Sequence, residues 1–415
     1  MRDFRTLIRP HLWRALSAVA LAGMLALAGC AGDSSDSAGV DLGSGPLLAF
    51  IGADGNLWLA AGNGSNAHAV TTTTCPPTVN CYGPPAWSPD GKLVAVFGPD
   101  KTTPANNDIY IYDRKGILQN TIKPANPLDT GSLLWSADGK EVAYAGSPAS
   151  STTGTTTKNA VPQSAFIMMN VSSGTQAGTI ALPAPQGADV QCNDAPRGGP
   201  LGSFVDHAIN GDSNGFRTTL SWSPDGSHLL ISGGNCGTQV LLVDKSGNAQ
   251  VLAPVSNAKD ANALQASFSP DGQHILASET TAAQDDLLIY DANGTNGKVI
   301  YTDSDAAPAF APRISSPTWS ADGKTIYFMR GADIWQINAD GSNPTKLLSG
   351  AASGDPLKAE TWPAPSPDGK ALVWVEISLS QADNIPRSAL YIGDAHGGNA
   401  KLIENGAIWA VWSSQ

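Results

Sequence analysis

Basic side chains are the scarce class in this chain. Its 24 Lys and Arg stand against 36 Asp and Glu, and four of the arginines (Arg2, Arg5, Arg9 and Arg14) fall near the start. Without residues 1–30 the acids outnumber the bases by 15. Such a balance excludes nucleic acid as a partner and a polybasic grip on anionic lipid. Histidine is sparse as well: beyond residue 30 only His68, His207, His228, His274 and His396 remain, with no H-x-H or H-E-x-x-H spacing. No metal and no cofactor is expected from that set. Glycine-rich phosphate loops are missing too, because the 44 glycines are spread over turns and none precedes a predicted helix. The apolar run Ala15 to Leu27 is too short to cross a bilayer as a helix, which needs about 20 residues.

What is present is a repeat. A Trp-Ser-Pro-Asp-Gly segment or a close variant starts at Trp87, Trp135, Trp222, Phe268, Trp319 and Pro365, and a truncated copy starts at Trp412. The intervals are 48, 87, 46, 51, 46 and 47 residues. A period in the forties with four short strands per unit predicts an all-β chain folded as a β-propeller. Each corner reads as a hairpin turn: proline presets φ, aspartate bonds its own backbone, and glycine accepts positive φ. Third strands follow, such as DIYIYD ending at Asp113 and LLIYD ending at Asp291, each closed by a second turn, and a weaker fourth strand completes the unit.

The chain before Trp87 supplies second, third and fourth strands (from Leu47, Asn56 and Ala67) but no Trp-Ser strand, whereas Ala407 to Trp412 supplies only that missing strand. Six complete repeats and one split repeat predict seven blades, with the N- and C-terminal strands sharing one. Such sharing closes the ring and removes exposed sheet edges.

These corners make the chain resemble the TolB-type, WD-like β-propeller family over nearly all of Leu47 to Ser413. The resemblance implies the propeller fold; the same repeat serves scaffolds, peptidase propellers and sensor ectodomains, so it implies no single activity. The family's namesake has an α/β domain before a six-bladed propeller, and this chain departs from it in both respects.

The first 30 residues read as a signal peptide with a basic start and an apolar middle. They end in Leu27-Ala28-Gly29-Cys30, which resembles the lipobox of bacterial lipoproteins. That resemblance implies cleavage before Cys30, lipidation of its thiol, and a place in the bacterial cell envelope, at the outer membrane if the envelope has one. Several acyl chains anchor stably at about 0.8 kcal/mol per buried methylene. Residues 31–46, rich in Gly, Ser and Asp, read as a flexible linker spanning roughly 20 Å. The propeller is assigned residues 47–415.

Four cysteines remain beyond Cys30, an even number in an exported chain, which makes disulfides the default. Cys75 and Cys81 share one loop and are expected to pair, leaving Cys192 with Cys236. Three pairings are formally possible. This one has topology behind it, since both remaining cysteines fall in connections that emerge on the same face.

The same topology concentrates variation. Corners of the Ser-Pro-Asp-Gly and Asp-x-x-Gly kinds belong to one face and are short. The other face receives the long segments Gly98 to Asn107, Gly146 to Gln163, Pro183 to Thr218, Thr302 to Pro317, Ser349 to Trp362 and Glu376 to Ser388. Residues 183–218, inside the 87-residue interval, lack a Pro-Asp-Gly corner and read as an insertion rather than an eighth blade. Recognition is usually placed on loops that a scaffold has no need to lengthen. The binding candidates there are Asp206, His207, Arg217, Arg313, Trp362 and Arg387. Trp362 stands out as an aromatic out of register with the repeat, in a long loop. The in-register aromatics read as packing between blades.

Catalytic constellations are weak. Gly211 to Gly215 matches G-x-S-x-G, but the strand before it and the helix after it that a nucleophile elbow needs are not predicted. Asn210, Asp212 and Asn214 form a calcium-loop fragment with Ser221 where its glutamate would stand. The sequence therefore reads as a monomeric, membrane-anchored binding or scaffolding propeller whose partner is an envelope protein or glycan. An envelope hydrolase or lyase with a site in the central funnel is the alternative.

Overall fold

The computed structural model describes residues 39–75, 81–100, 107–124, 133–146, 165–181, 219–232, 240–252, 262–281, 283–305, 313–350, 358–379 and 386–414. They form seven four-stranded antiparallel sheets and no helix. Blades 1 to 3 are Ala86–Trp87, Leu93–Pro99, Asn107–Asp113 and Leu118–Ile122; Leu134–Trp135, Glu141–Gly146, Ala165–Asn170 and Gln176–Ala181; and Thr219–Trp222, His228–Ser232, Leu241–Asp244 and Ala249–Val251. Blades 4 to 6 are Asn262–Phe268, His274–Thr280, Asp285–Asp291 and Lys298–Asp303; Ile314–Trp319, Thr325–Arg330, Asp333–Asn338 and Thr345–Ser349; and Lys358–Pro365, Ala371–Leu379, Pro386–Asp394 and Lys401–Asn405. Blade 7 combines Ile408–Trp412 with Leu47–Ile51, Leu57–Ala61 and His68–Ala69.

Alternation along each second strand sends side chains to both neighbouring blades. Val94 and Val96 pack toward blade 7 with Leu47, Ala49 and Leu57, while Ala95 and Phe97 pack toward blade 2 with Val142, Tyr144 and Ile167. One apolar cluster of this kind fills each of the seven blade junctions, the last joining Val373, Val375 and Leu390 of blade 6 to Leu48 and Phe50 of blade 7. The core is thus a closed circuit of interfaces between sheets. The repeated aromatic belongs to it: Trp135, Phe268 and Trp319 are buried, and the Trp135 indole donates to the Ala86 carbonyl of the preceding blade at 2.8 Å. Trp412 makes the same bond to Ala364 at 2.9 Å.

Each corner is built alike. In blade 1 the Ser88 hydroxyl donates to Asp90 (2.7 Å) and accepts from the Leu93 amide (3.0 Å), the Ser88 amide donates to the Leu93 carbonyl (2.8 Å), and Gly91 takes φ +65°. Hydrogen bonds of this kind hold Asp225 down to about 2, through Ser223 first and then Ser227. The split blade reproduces the corner without a covalent turn. The Leu47 amide donates to the Ser413 hydroxyl and the Ser413 amide donates to the Leu47 carbonyl, both at 2.8 Å. Ser413 and Leu47 therefore occupy the places of Ser88 and Leu93, and the ring closes through side-chain and ladder bonds alone.

Two segments depart from the sequence reading. Trp362, expected in a loop, lies inside the first strand of blade 6 at a bulge with φ +50°. Flanking Pro363 and Pro365 and the bulge break the alternation that would have revealed the strand. The connection expected over Glu376 to Ser388 is largely ladder: pairing continues to Leu379 opposite Pro386, leaving only 380–385 between the strands.

Candidate functional site

The two rims of the ring differ. On the corner rim every first-to-second-strand connection is five residues and every third-to-fourth connection is four to six. On the opposite rim the connections run from two residues (331–332) to the whole of 182–218.

The described part of the long-loop rim is dense in buried charge. At the start of the third strand, four blades carry an acid or amide that reaches across to the end of the fourth. Asn56 accepts from the Thr71 hydroxyl (3.0 Å) and the Thr73 amide (2.9 Å). Asp108 lies 3.7 Å from the Lys123 ammonium. Asp286 accepts from Thr302 (2.5 Å), and Asp333 from Ser349 (3.1 Å) and Lys346 (3.2 Å). Burial, followed by the charge of Asp100, raises the Asp108 pKa against the opposing pull of Lys123. These side chains tie the third and fourth strands together at the rim. The signal lay in the sequence as the polar residue opening DIYIYD and DIWQIN.

Arg313 belongs to the same internal network. Its guanidinium lies 3.4 Å from Asp285 and donates to the Asp305 carbonyl at 2.6 Å. Asp285 is fully buried and also accepts from the Ile314 amide (3.0 Å) and the Thr280 hydroxyl (2.5 Å). Beside it, Arg330 binds Asp303 with two hydrogen bonds, 2.9 and 3.0 Å, pairs with Asp305, and stacks 4.9 Å over Trp335. Burial works to raise Asp303, but the Arg330 bonds outweigh it and hold the carboxyl below its ordinary range. Such bidentate pairs lock geometry.

Trp362 has a counterpart. Trp409, on the first strand of blade 7, has φ +55° and stands three residues before Trp412, as Trp362 stands three before Pro365. Ser316 (φ +50°) repeats the bulge three residues before Trp319. A left-handed conformation is costly for a bulky aromatic, so the surrounding ladder must hold these bulges. Arg387 is exposed on the third strand of blade 6, opposite Ser378. The structure thus sets Arg313 beside the first strand of blade 5 and Trp362 and Arg387 in blade 6. Asp206, His207, Arg217, the G-x-S-x-G and calcium-loop segments, Cys192, Cys236 and Cys30 lie outside the described residues. Cys75 and Cys81 form a disulfide with Cα atoms 5.6 Å apart. Among the described residues no group of three or more His, Cys, Asp or Glu is placed to hold a metal ion.

A cavity of about 420 Å³ opens on the corner rim between blades 6 and 7. Sequence reasoning directed attention to the other rim and missed it.

No protein-family model matches the chain, and no curated protein matches it. Among solved structures it is similar to TolB from Acinetobacter baumannii, with 17% identity, 78% of this chain and 67% of that one covered, and a TM-score of 0.43. A protein assigned as TolB from Agrobacterium tumefaciens shows 15% identity over 89% of this chain and 99% of that one, with a TM-score of 0.38. An oligogalacturonate lyase in complex with manganese shows 14% identity over 77% and 73%, with a TM-score of 0.41. At such values these likenesses carry no argument about ligand or activity. The chain is a seven-bladed β-propeller with TolB proteins among its structural neighbours.

Proposed function

We propose that this propeller is a binding module without turnover of its own, held at a bacterial envelope membrane by lipid on Cys30, and that it meets an envelope protein or glycan with its long-loop rim. The observation that supports this reading is the asymmetry of the rims: one repeats the same short connection around the ring, and the other carries every connection longer than six residues. A scaffold needs no such lengthening, whereas recognition does. The buried charge pairs beneath that rim supply a rigid base for variable loops.

Photo-crosslinking amino acids placed at Arg387 on the long-loop rim and at Lys140 on the corner rim test the reading in cells. Adducts from position 387 and none from 140 are expected; adducts from 140 alone overturn the choice of rim. The anchor is tested separately by Cys30→Ala, which should move the protein from the membrane fraction to the soluble one. Retention of that variant through a salt wash would rule out lipid as the anchor.

A further inference from the structure

The corner rim lacks a covalent first-to-second-strand turn at one place, blade 7. Along the ring, the corner glycines of blades 2 to 5 lie against the corner before: a Cβ on Gly139 would stand 3.7 Å from Pro89, on Gly226 2.9 Å from Ala137, on Gly272 3.2 Å from Pro224, and on Gly323 3.7 Å from Pro270, whereas one on Gly369 of blade 6 would meet nothing within 4 Å. Blade 7 has no such corner to lay on blade 6, because its turn is the gap between the two chain ends. The incoming segment does not fill that place. Arg114 of blade 1 draws it away, donating to the carbonyls of Gly45 and Gly43 while also binding the Gly91 carbonyl at 3.0 Å. Val40 continues this path by donating to the Lys115 carbonyl at 3.1 Å. What remains is the 420 Å³ cavity, within the size range of small-molecule sites.

Its wall is apolar at Leu42, Pro46, Ile392 and Trp412, with charged groups at the edge. The two acids there are already engaged. Asp368 accepts from the Ser366 hydroxyl (2.7 Å) and the Lys370 amide (3.1 Å) and pairs with the Lys370 ammonium (3.1 Å). Asp394 accepts from the amides of His396 (3.0 Å) and Gly398 (2.9 Å) and from Asn399 (3.0 Å). Lys401, also on the wall, makes no ion pair among the described residues. Lys401 therefore has donors unused, and a ligand that fits it brings an acceptor on an apolar body.

We propose that this seam cavity binds a small amphipathic carboxylate, its head group on Lys401 and the outer face of Lys370, its apolar body against Ile392, Leu42 and Trp412. The site is independent of the long-loop rim and stands whether or not that rim binds a partner.

The test is titration calorimetry of the purified protein with 2-naphthylacetate and with 2-(2-naphthyl)ethylamine, a probe of the same shape and opposite charge. The carboxylate should bind saturably and at least about tenfold tighter than the amine, the size expected for one charge-assisted hydrogen bond. Lys401→Glu, on an exposed strand residue, should weaken the carboxylate about tenfold and leave the melting temperature unchanged. Ala371→Trp should abolish binding by filling the cavity. Should that variant fold poorly, Lys401→Glu decides alone. Equal affinity for the two probes, no binding of the carboxylate, or undiminished binding to Lys401→Glu overturns the proposal.

Discussion

The corner rim and the long-loop rim are made by the same strands and follow opposite rules. On the corner rim one arrangement is copied from blade to blade: a serine hydroxyl holds an aspartate and a strand amide, and from blade 2 to blade 5 a glycine rests on the corner before. On the long-loop rim each blade closes its end with different partners, Asn56 with threonines, Asp108 with a lysine, Asp285 with an arginine and a backbone amide. Repetition belongs where a local turn is sufficient. Individual solutions appear where a connection of arbitrary length has to be tied to a fixed sheet.

The sharpest way to break this comparison is at the corner that has no turn. Deleting residues 407–415 removes the first strand of blade 7 and the Ser413 bonds to Leu47, and should unfold or aggregate the protein. An unchanged melting curve would show that the ring does not depend on this closure. On the other rim, Asp285→Ala strands the buried Ile314 amide and removes the ion pair to Arg313, and should cost about 3 kcal/mol in denaturant unfolding. Arg313→Ala should likewise appear as lost stability rather than as lost binding.

Smaller effects sharpen the contrast. If the corners are copies, Ser136→Ala and Ser320→Ala should each cost about 1 kcal/mol, and the two should add in the double variant. Acid should act on this rim as a set. The folded pKa of Asp138, Asp225, Asp271, Asp322 and Asp368 lies below the ordinary 3.8, that of Asp225 at about 2. Their contribution is complete above about pH 4 and is lost as pH falls toward 2, so a melting temperature followed over that window should drop. The smallest effect concerns the aromatic position. Trp135→Phe loses the bond to Ala86, whereas the Trp319 indole nitrogen is buried without an acceptor among the described residues, so Trp319→Phe should cost less.

Much of the fold was legible because its determinants are local. Proline, aspartate and glycine specify a turn within five residues, and the apolar alternation of Leu93 to Phe97 specifies a strand without reference to the rest of the chain. Even the split blade could be read, by noticing which strand type each end lacked. Trp362 could not be placed, since a bulge beside two prolines has the composition of a loop and is a strand only because Val373 and Val375 pair across it. The internal use of Arg313 and Asp285 was equally hidden: these residues are 28 positions apart and meet only when blades 4 and 5 are docked. The seam cavity follows from what is missing at one junction, which becomes visible only once the path of Gly43 to Pro46 toward Arg114 is known.

The bond between Leu47 and Ser413 spans 366 positions of the chain. At a synthesis rate of about 5–20 residues per second, the nascent polypeptide presents the unpaired edge of Leu47–Ile51 for tens of seconds before its partner leaves the ribosome. During that interval no amount of correct local folding can protect the edge, and a competing strand from any neighbouring chain has the same access to it as the rightful one. Pairing of Ile408–Trp412 with Leu47–Ile51 removes that edge and shuts the circle in a single event.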